Sequence, residues 1–203
     1  MVPNPPAPGA DPRRETLSES GWTAYSGAGR FPIDERGRSM MEIERRFLCR
    51  QVSPGAFEHA ERRSIIRQGY LTVSDPAVRI RQQDDAFLLA VKSGEGLVRR
   101  EVEFPVEPAV AHELMAIAGD RQVEKVRWRL GRWEIDVFRG KLEGLLIAEV
   151  ELQSEDEPLP EPPPGITLVR EITGERRFTN QCLAQLSTAE AARLVREVTG
   201  ESA

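Results

Sequence analysis

A chain of 203 residues with 39% apolar and 30% charged residues can bury a substantial core in one domain, and is too apolar for a disordered polyelectrolyte. Its formal charge of −5 argues against a nucleic-acid partner, and no run of about 18 apolar residues is present to predict a membrane-spanning helix. The start has no basic-then-apolar leader, and Cys49 and Cys182 match no metal-ligand spacing, so a reducing, cytoplasmic location is expected.

Residues 1–39, rich in Pro, Gly, Ser and Arg, show no sustained period and predict a disordered extension. Met40 and Met41 follow, where a second translation start would fall. Glu42-Ile43-Glu44-Arg45-Arg46-Phe47-Leu48 alternates strictly, as a strand with Glu42, Glu44 and Arg46 on one side. Ser53-Pro54-Gly55 breaks the pattern, and residues 55–66 read as a short helix or an irregular crossing. A second strand over 66–73 stops at Asp75-Pro76. Val78-Arg79-Ile80-Arg81 and the strand 87–92 form a hairpin about Asp84-Asp85, ended by Gly94-Glu95-Gly96, and 98–106 alternates again.

Pro108 opens a helix in which Val110, Leu114, Ile117 and Ala118 recur at helical spacing, closed by Gly119-Asp120. Strands are expected over 123–130, 133–138 and 145–152, with turns at Gly131 and Gly140. The acidic, proline-rich run 155–165 predicts a surface loop. A short segment at 171–173 precedes a helix over about 178–185, and an amphipathic helix starts at Ser187 or Thr188. Seven or eight short strands joined by tight turns predict an antiparallel, closed β structure with inserted helices, an α+β fold. The division expected is an extension at 1–39, a domain at 40–186 and a C-terminal helix and tail at 187–203.

One strand parity collects Glu42, Glu44, Arg46, Arg79, Arg81, Lys92, Arg99, Glu101 and Glu103. It continues through Lys125, Arg127, Arg129, Glu134, Asp136, Glu149 and Glu151. The other parity is mostly apolar. A water-facing sheet gives such alternation too, but cross-strand salt pairing would favour mixed signs. Here like signs run together, as Glu-x-Glu or as Arg-x-Arg and Lys-x-Arg. Turned inward, this face makes a polar tunnel with an acidic and a basic part. Clustered carboxylates take hard divalent cations through oxygen, and the basic part takes a polyanion, so the pair describes a site for a metal-bound oligophosphate.

Glu42-Ile-Glu-Arg-Arg-Phe, Arg67-Gln-Gly-Tyr-Leu, Val78-Arg-Ile-Arg, Leu89-Ala-Val-Lys-Ser and Arg99-Arg-Glu-Val-Glu stand in order along the chain. Glu124-Lys-Val-Arg, Trp133-Glu-Ile-Asp-Val-Phe, Ile147-Ala-Glu-Val-Glu-Leu and Glu171-Ile-Thr-Gly-Glu-Arg-Arg-Phe-Thr-Asn follow. Together, over residues 41–186, they resemble the triphosphate tunnel metalloenzymes (the CYTH superfamily), and most the short, single-domain bacterial type. The resemblance implies an eight-stranded antiparallel β-barrel forming a polar tunnel, with helices packed outside and a C-terminal helix near one mouth. It implies hydrolysis of a triphosphate-containing small molecule with Mg²⁺ or Mn²⁺, by a monomer or homodimer. Matched by position, Glu42, Glu44, Glu101, Glu103, Asp136, Glu149 and Glu151 would hold metal or its water. Arg46, Arg79, Arg81, Lys92, Arg99, Lys125 and Arg127 would hold phosphates, and Glu42, Glu44, Arg46 and Tyr70 would be catalytic; Glu134 and Arg129 rank lower.

The family's first motif normally ends in lysine, where this chain has Arg46. In some members that lysine pairs with a tyrosine, matching Tyr70, in a proposed water-activating dyad. A lysine can give up its proton when its pKa is depressed; an arginine, with pKa above about 12, does not. Arg46 can therefore bind phosphate and lower the pKa of Tyr70 but cannot be a general base. The expected substrate is inorganic tripolyphosphate. The alternatives are thiamine triphosphate, ATP or another nucleoside triphosphate, a class IV-type adenylyl cyclase reaction, and a non-catalytic polyphosphate-binding module marked by Arg46. Trp128 and Trp133 are expected outside the tunnel, which leaves no aromatic grip for an organic moiety.

Overall fold

The computed structural model describes residues 43–74, 76–93, 100–154 and 156–200; the side chains of Ser93, Arg100 and Glu101 are also outside it. The expected extension, Glu42, Arg99 and the Gly94-Glu95-Gly96 turn lie outside the described residues. Strands β1 (Ile43–Gln51), β2 (Arg62–Tyr70), β3 (Ala77–Gln83), β4 (Ala86–Ser93) and β5 (Arg100–Pro105) precede helix α1 (Pro108–Ala118). Then come β6 (Gln122–Leu130), β7 (Trp133–Phe138), β8 (Leu146–Leu152), β9 (Ile166–Glu171), α2 (Asn180–Gln185) and α3 (Thr188–Thr199), with 3-10 turns at Gly140–Leu142 and Arg176–Phe178.

All strands join one antiparallel sheet in the order β5-β4-β3-β2-β6-β7-β8-β1-β9. Turn chemistry sets this order. Asp84, with φ 52°, makes the β3–β4 corner, a conformation Asp tolerates, and its carboxylate accepts from the Ile65 amide at 2.8 Å. Gly131, with φ 60°, makes the β6–β7 corner. β2 to β5 and β6 to β8 are two meanders, and the β2–β6 pairing joins them.

The α+β architecture is as expected, but the count and closure are corrected. There are nine strands, not eight, and β5 and β9 are free edges among the described residues, so the hydrogen-bonded sheet is not a closed barrel. The added strand, β9, follows the proline-rich loop directly. It pairs with β1 only after a register shift between Leu48 and Cys49, which takes the ladder past one irregular step. The helix expected from 178 begins at Asn180 with Thr179 as N-cap, after the 3-10 turn at Arg176–Phe178.

The apolar parity is covered from outside. α1 lays Ala111, Met115 and Leu114 over Ile80, Phe87 and Leu89. Residues 56–57 and Leu159 cover Phe47, Trp133, Ile135, Ala148 and Val150. On the opposite, charged face, the helical elements pack only at one end. There Phe178, Leu183, Ala191 and Val195 meet Leu48, Tyr70, Val123, Phe138 and Ile147 from five strands. This apolar stopper carries the C-terminal helices near one end of the charged face.

Candidate active site

Directly opposed residues of paired strands point to the same side of a sheet. Gln68 is opposite Arg81 and Tyr70 opposite Arg79; Ile66 is opposite Lys125 and Ser64 opposite Arg127. Arg127 is opposite Asp136, Arg129 opposite Glu134, Glu134 opposite Glu149, Glu149 opposite Arg46, and Glu151 opposite Glu44. On the other wing Arg79 is opposite Ala90, Ala90 opposite Glu103, and Lys92 opposite Glu101. The register thus brings Glu44, Arg46, Tyr70, Arg79, Arg81, Lys92, Glu103, Lys125, Arg127, Asp136, Glu149 and Glu151 to one face. Glu101 joins them by backbone register. Trp128 and Trp133 are on the other face, Trp128 stacked on Phe57 at 4.9 Å and Trp133 buried in the outer core.

The middle of that face is not solvated, although Glu44, Glu103 and Glu151 are exposed. Asp136 is 0% exposed and Lys125 3%. The side chains of Arg79, Glu149 and Arg46 are 11%, 13% and 14% exposed. Charges buried this far are tolerated only when answered by opposite charge and hydrogen bonds. Lys125 bonds one oxygen of Asp136, and the Arg127 guanidinium takes both, Nε to Oδ1 and Nη2 to Oδ2, each at 2.7 Å. Burial alone would push the Asp136 pKa up; Lys125 and Arg127 outweigh it and hold the carboxyl at about 2. Arg127 also bonds Glu134, and Glu149 at 2.5 Å, clamping two carboxylates that the register sets directly opposite each other.

Arg46 Nε lies 3.0 Å from Glu149 and 3.2 Å from Glu44, while its Nη2 donates to the Phe178 carbonyl at 3.2 Å. The opposed pair Glu44 and Glu151 has no such clamp: Glu151 has no side-chain partner among the described residues. Although the Glu44 side chain is 48% exposed, desolvation by the protein packed around its carboxyl and the neighbouring Glu149 push its pKa up to about 7, against the pull of Arg46, Arg127 and Lys125. Crowded carboxylates of this kind, all oxygen donors, fit a hard divalent cation, which would relieve their repulsion. Among the described residues no three ligands are already drawn into a metal-binding group. Asp136, Glu134 and Glu149 direct oxygens to Arg127, and Glu103 bonds Arg79 at 3.0 Å.

Arg46 and Tyr70 are not brought together. Tyr70 accepts a hydrogen bond from Gln68, and burial raises its pKa, outweighing Arg79, Gln68 and Arg81. The expectation that Arg46 lowers the pKa of Tyr70 is corrected accordingly. Gln68, buried between Tyr70 and Arg81, is a site residue the sequence reading passed over. Its signal was a polar side chain two residues before Tyr70, on the same strand parity.

No family model matches the chain. It is 36% identical over 154 residues to an inorganic triphosphatase of Nitrosomonas europaea, a match that takes in 71% of this chain and 97% of that protein. It is 34% identical over 151 residues to an inorganic triphosphatase of Acetivibrio thermocellus, over 71% of this chain and 93% of that one. The crystal structure of the inorganic triphosphatase NE1496 matches with a TM-score of 0.55 at 32% identity, over 72% of this chain and 95% of that chain. The chain belongs to the inorganic triphosphatase family. With the motifs quoted above, this places it in the CYTH superfamily. A triphosphatase-family chain with arginine at position 46 ties that residue to two carboxylates, a role in which a fixed positive charge serves as well as a titratable one.

Proposed function

We propose that this chain is a metal-dependent phosphoric-anhydride hydrolase whose substrate is a triphosphate, inorganic tripolyphosphate foremost. What carries the reading is one charged face on which the carboxylates Glu44, Glu149 and Glu151, the first and last of them exposed, adjoin the largely buried cations Lys125 and Arg127, with Arg79 and Arg81 further along. Phosphoryl transfer asks for little covalent chemistry from protein; it needs in-line positioning and charge neutralisation. Arg79 and Arg81 offer planar forks suited to phosphate oxygens, and Lys92, Lys125, Arg127 and Arg99 extend the basic part. Glu42, Glu44, Glu149 and Glu151 would hold Mg²⁺ or Mn²⁺, with Glu101, Glu103 and Asp136 as further oxygen donors. When bound, the cation supplies positive charge against phosphate oxygens and acidifies water. Arg46 neutralises Glu44 and Glu149 and does not act as the base.

The names of both relatives favour inorganic triphosphate over ATP or thiamine triphosphate. So does the position of Trp128 and Trp133 on the outer face, which leaves no tryptophan among the described residues to stack an organic base. Phosphate release is to be measured with Mg²⁺ or Mn²⁺ on tripolyphosphate, ATP and thiamine triphosphate in parallel. Release is expected from tripolyphosphate foremost and is abolished in Glu44→Gln. Tight binding of tripolyphosphate without release by the unmodified protein would instead establish a polyphosphate-binding module.

A further inference from the structure

We infer that Gln68 is a positioning residue that aims the hydroxyl proton of Tyr70 into the charged face, as a hydrogen-bond donor to a phosphate oxygen. The identity of the acceptor rests on the triphosphatase reading; the direction of the proton rests on local chemistry alone. Gln68 lies on β2, 1% exposed, on the same side of the strand as Tyr70. Its neighbours fix both ends of its amide. Arg81 Nε approaches Oε1 at 3.3 Å. A guanidinium only donates, so that end of the amide is its carbonyl oxygen. The other end, Nε2, is in hydrogen-bond contact with the Tyr70 hydroxyl oxygen. An amide NH₂ only donates, so the phenolic oxygen accepts.

The Arg79 guanidinium, directly across the β2–β3 ladder, is a charged neighbour of the same hydroxyl. With the Gln68 amide donating to the oxygen, the O–H of Tyr70 points away from Gln68, and it has no acceptor among the described residues. The ring cannot swing to find one, because it is packed with Leu48, Phe138, Phe178 and Leu183. The charged groups acting on the hydroxyl are the cations Arg79, which also bonds Glu103 at 3.0 Å, and Arg81. An acceptor that comes to this spot with favourable electrostatics is an anion, and a phosphate oxygen gripped by those arginines meets the requirement. A hydrogen bond donated there in the transition state would make Tyr70 a catalytic residue, with Gln68 acting through it. The neutral phenol this requires agrees with burial raising the Tyr70 pKa.

Gln68→Glu keeps the size of the side chain but presents only acceptors, so it draws the Tyr70 proton to itself and away from the ligand. Tyr70→Phe removes the proton outright. Each variant is expected to lower kcat on tripolyphosphate by about 10²-fold, the typical loss for one transition-state donor, with thermal midpoint retained. The double variant is expected within about threefold of the slower single one, because both act through one proton. Losses that multiply, or a Gln68→Glu enzyme with unchanged kcat, would overturn the inference. A second readout needs no turnover. The chain has 2 tyrosines, so Tyr25→Phe leaves Tyr70 as the single chromophore in an absorbance titration. Its proton is expected to persist above the ordinary 10.0, and ionisation at or below neutral pH would overturn the inference. Wild-type protein that releases no phosphate would refute the triphosphatase reading, while the titration still decides which way Tyr70 is poised.

Discussion

Asp136 is buried with Lys125 and Arg127 as its counter-ions; without its carboxylate Arg127 keeps Glu134 and Glu149, but buried Lys125 loses its ion-pair partner. Breaking one side of a buried ion pair costs about 3–5 kcal/mol, and Asp136→Ala is expected to lose that much in urea unfolding. The two shifted carboxyls make opposite demands on pH. Asp136 is depressed from 3.8 to about 2, so its contribution to stability is complete above 3.8 and is lost as pH falls through 2. Glu44 is raised from 4.5 to about 7, so the stability tied to its protonated form is complete below 4.5 and is lost as pH climbs through 7. A cation bound at Glu44 needs the ionised carboxylate. Affinity for Mn²⁺, followed by calorimetry, is therefore expected to strengthen between pH 4.5 and 7, and a flat profile in that window would separate Glu44 from the metal.

At the scale of elements, the contact of α1 with β2 hangs on one missing side chain. A Cβ on Gly69 would stand 2.8 Å from the Ala118 Cβ and 3.1 Å from the Met115 sulfur. Gly69→Ala is therefore expected to destabilise the fold by about 1–3 kcal/mol in denaturant titration, despite the poor strand propensity of glycine. Strand parity was legible without coordinates, because alternation survives even when element ends are misjudged. The expected second strand was placed at 66–73 and the observed one is Arg62–Tyr70, yet Tyr70 keeps its face. α1 and α3 were legible for another reason, their local punctuation: proline at the start of α1, and Ser187 with Glu190 forming a capping box on α3. β9 was not legible. Ile166, Thr167, Leu168 and Val169 are a short run behind five prolines, and only pairing with β1 makes them a strand. Gln68 was missed because glutamine carries no charge and so fell outside a pattern built on charges.

Across the whole molecule, two readings of the same charge pattern competed, a water-facing sheet and a lined interior. The burial of Asp136, Lys125, Arg79 and Glu149 makes the middle of the face an interior, while Glu44, Glu103 and Glu151 stay exposed at its margins. Outer layers on one face and an apolar stopper at one end of the other leave the charged region as the part built to meet a ligand. The relatives match 71% of this chain over nearly their whole length. Deleting residues 1–39 is expected to leave phosphate release and the thermal midpoint unchanged. The most direct measurement of the central claim is anomalous diffraction from crystals holding Mn²⁺ and a non-hydrolysed triphosphate. The account predicts a manganese peak beside Glu44 and the carboxylates of β8, with phosphates on Arg79, Arg81 and Lys125. Manganese and phosphate bound elsewhere, with that face left to its own ion pairs, would contradict it.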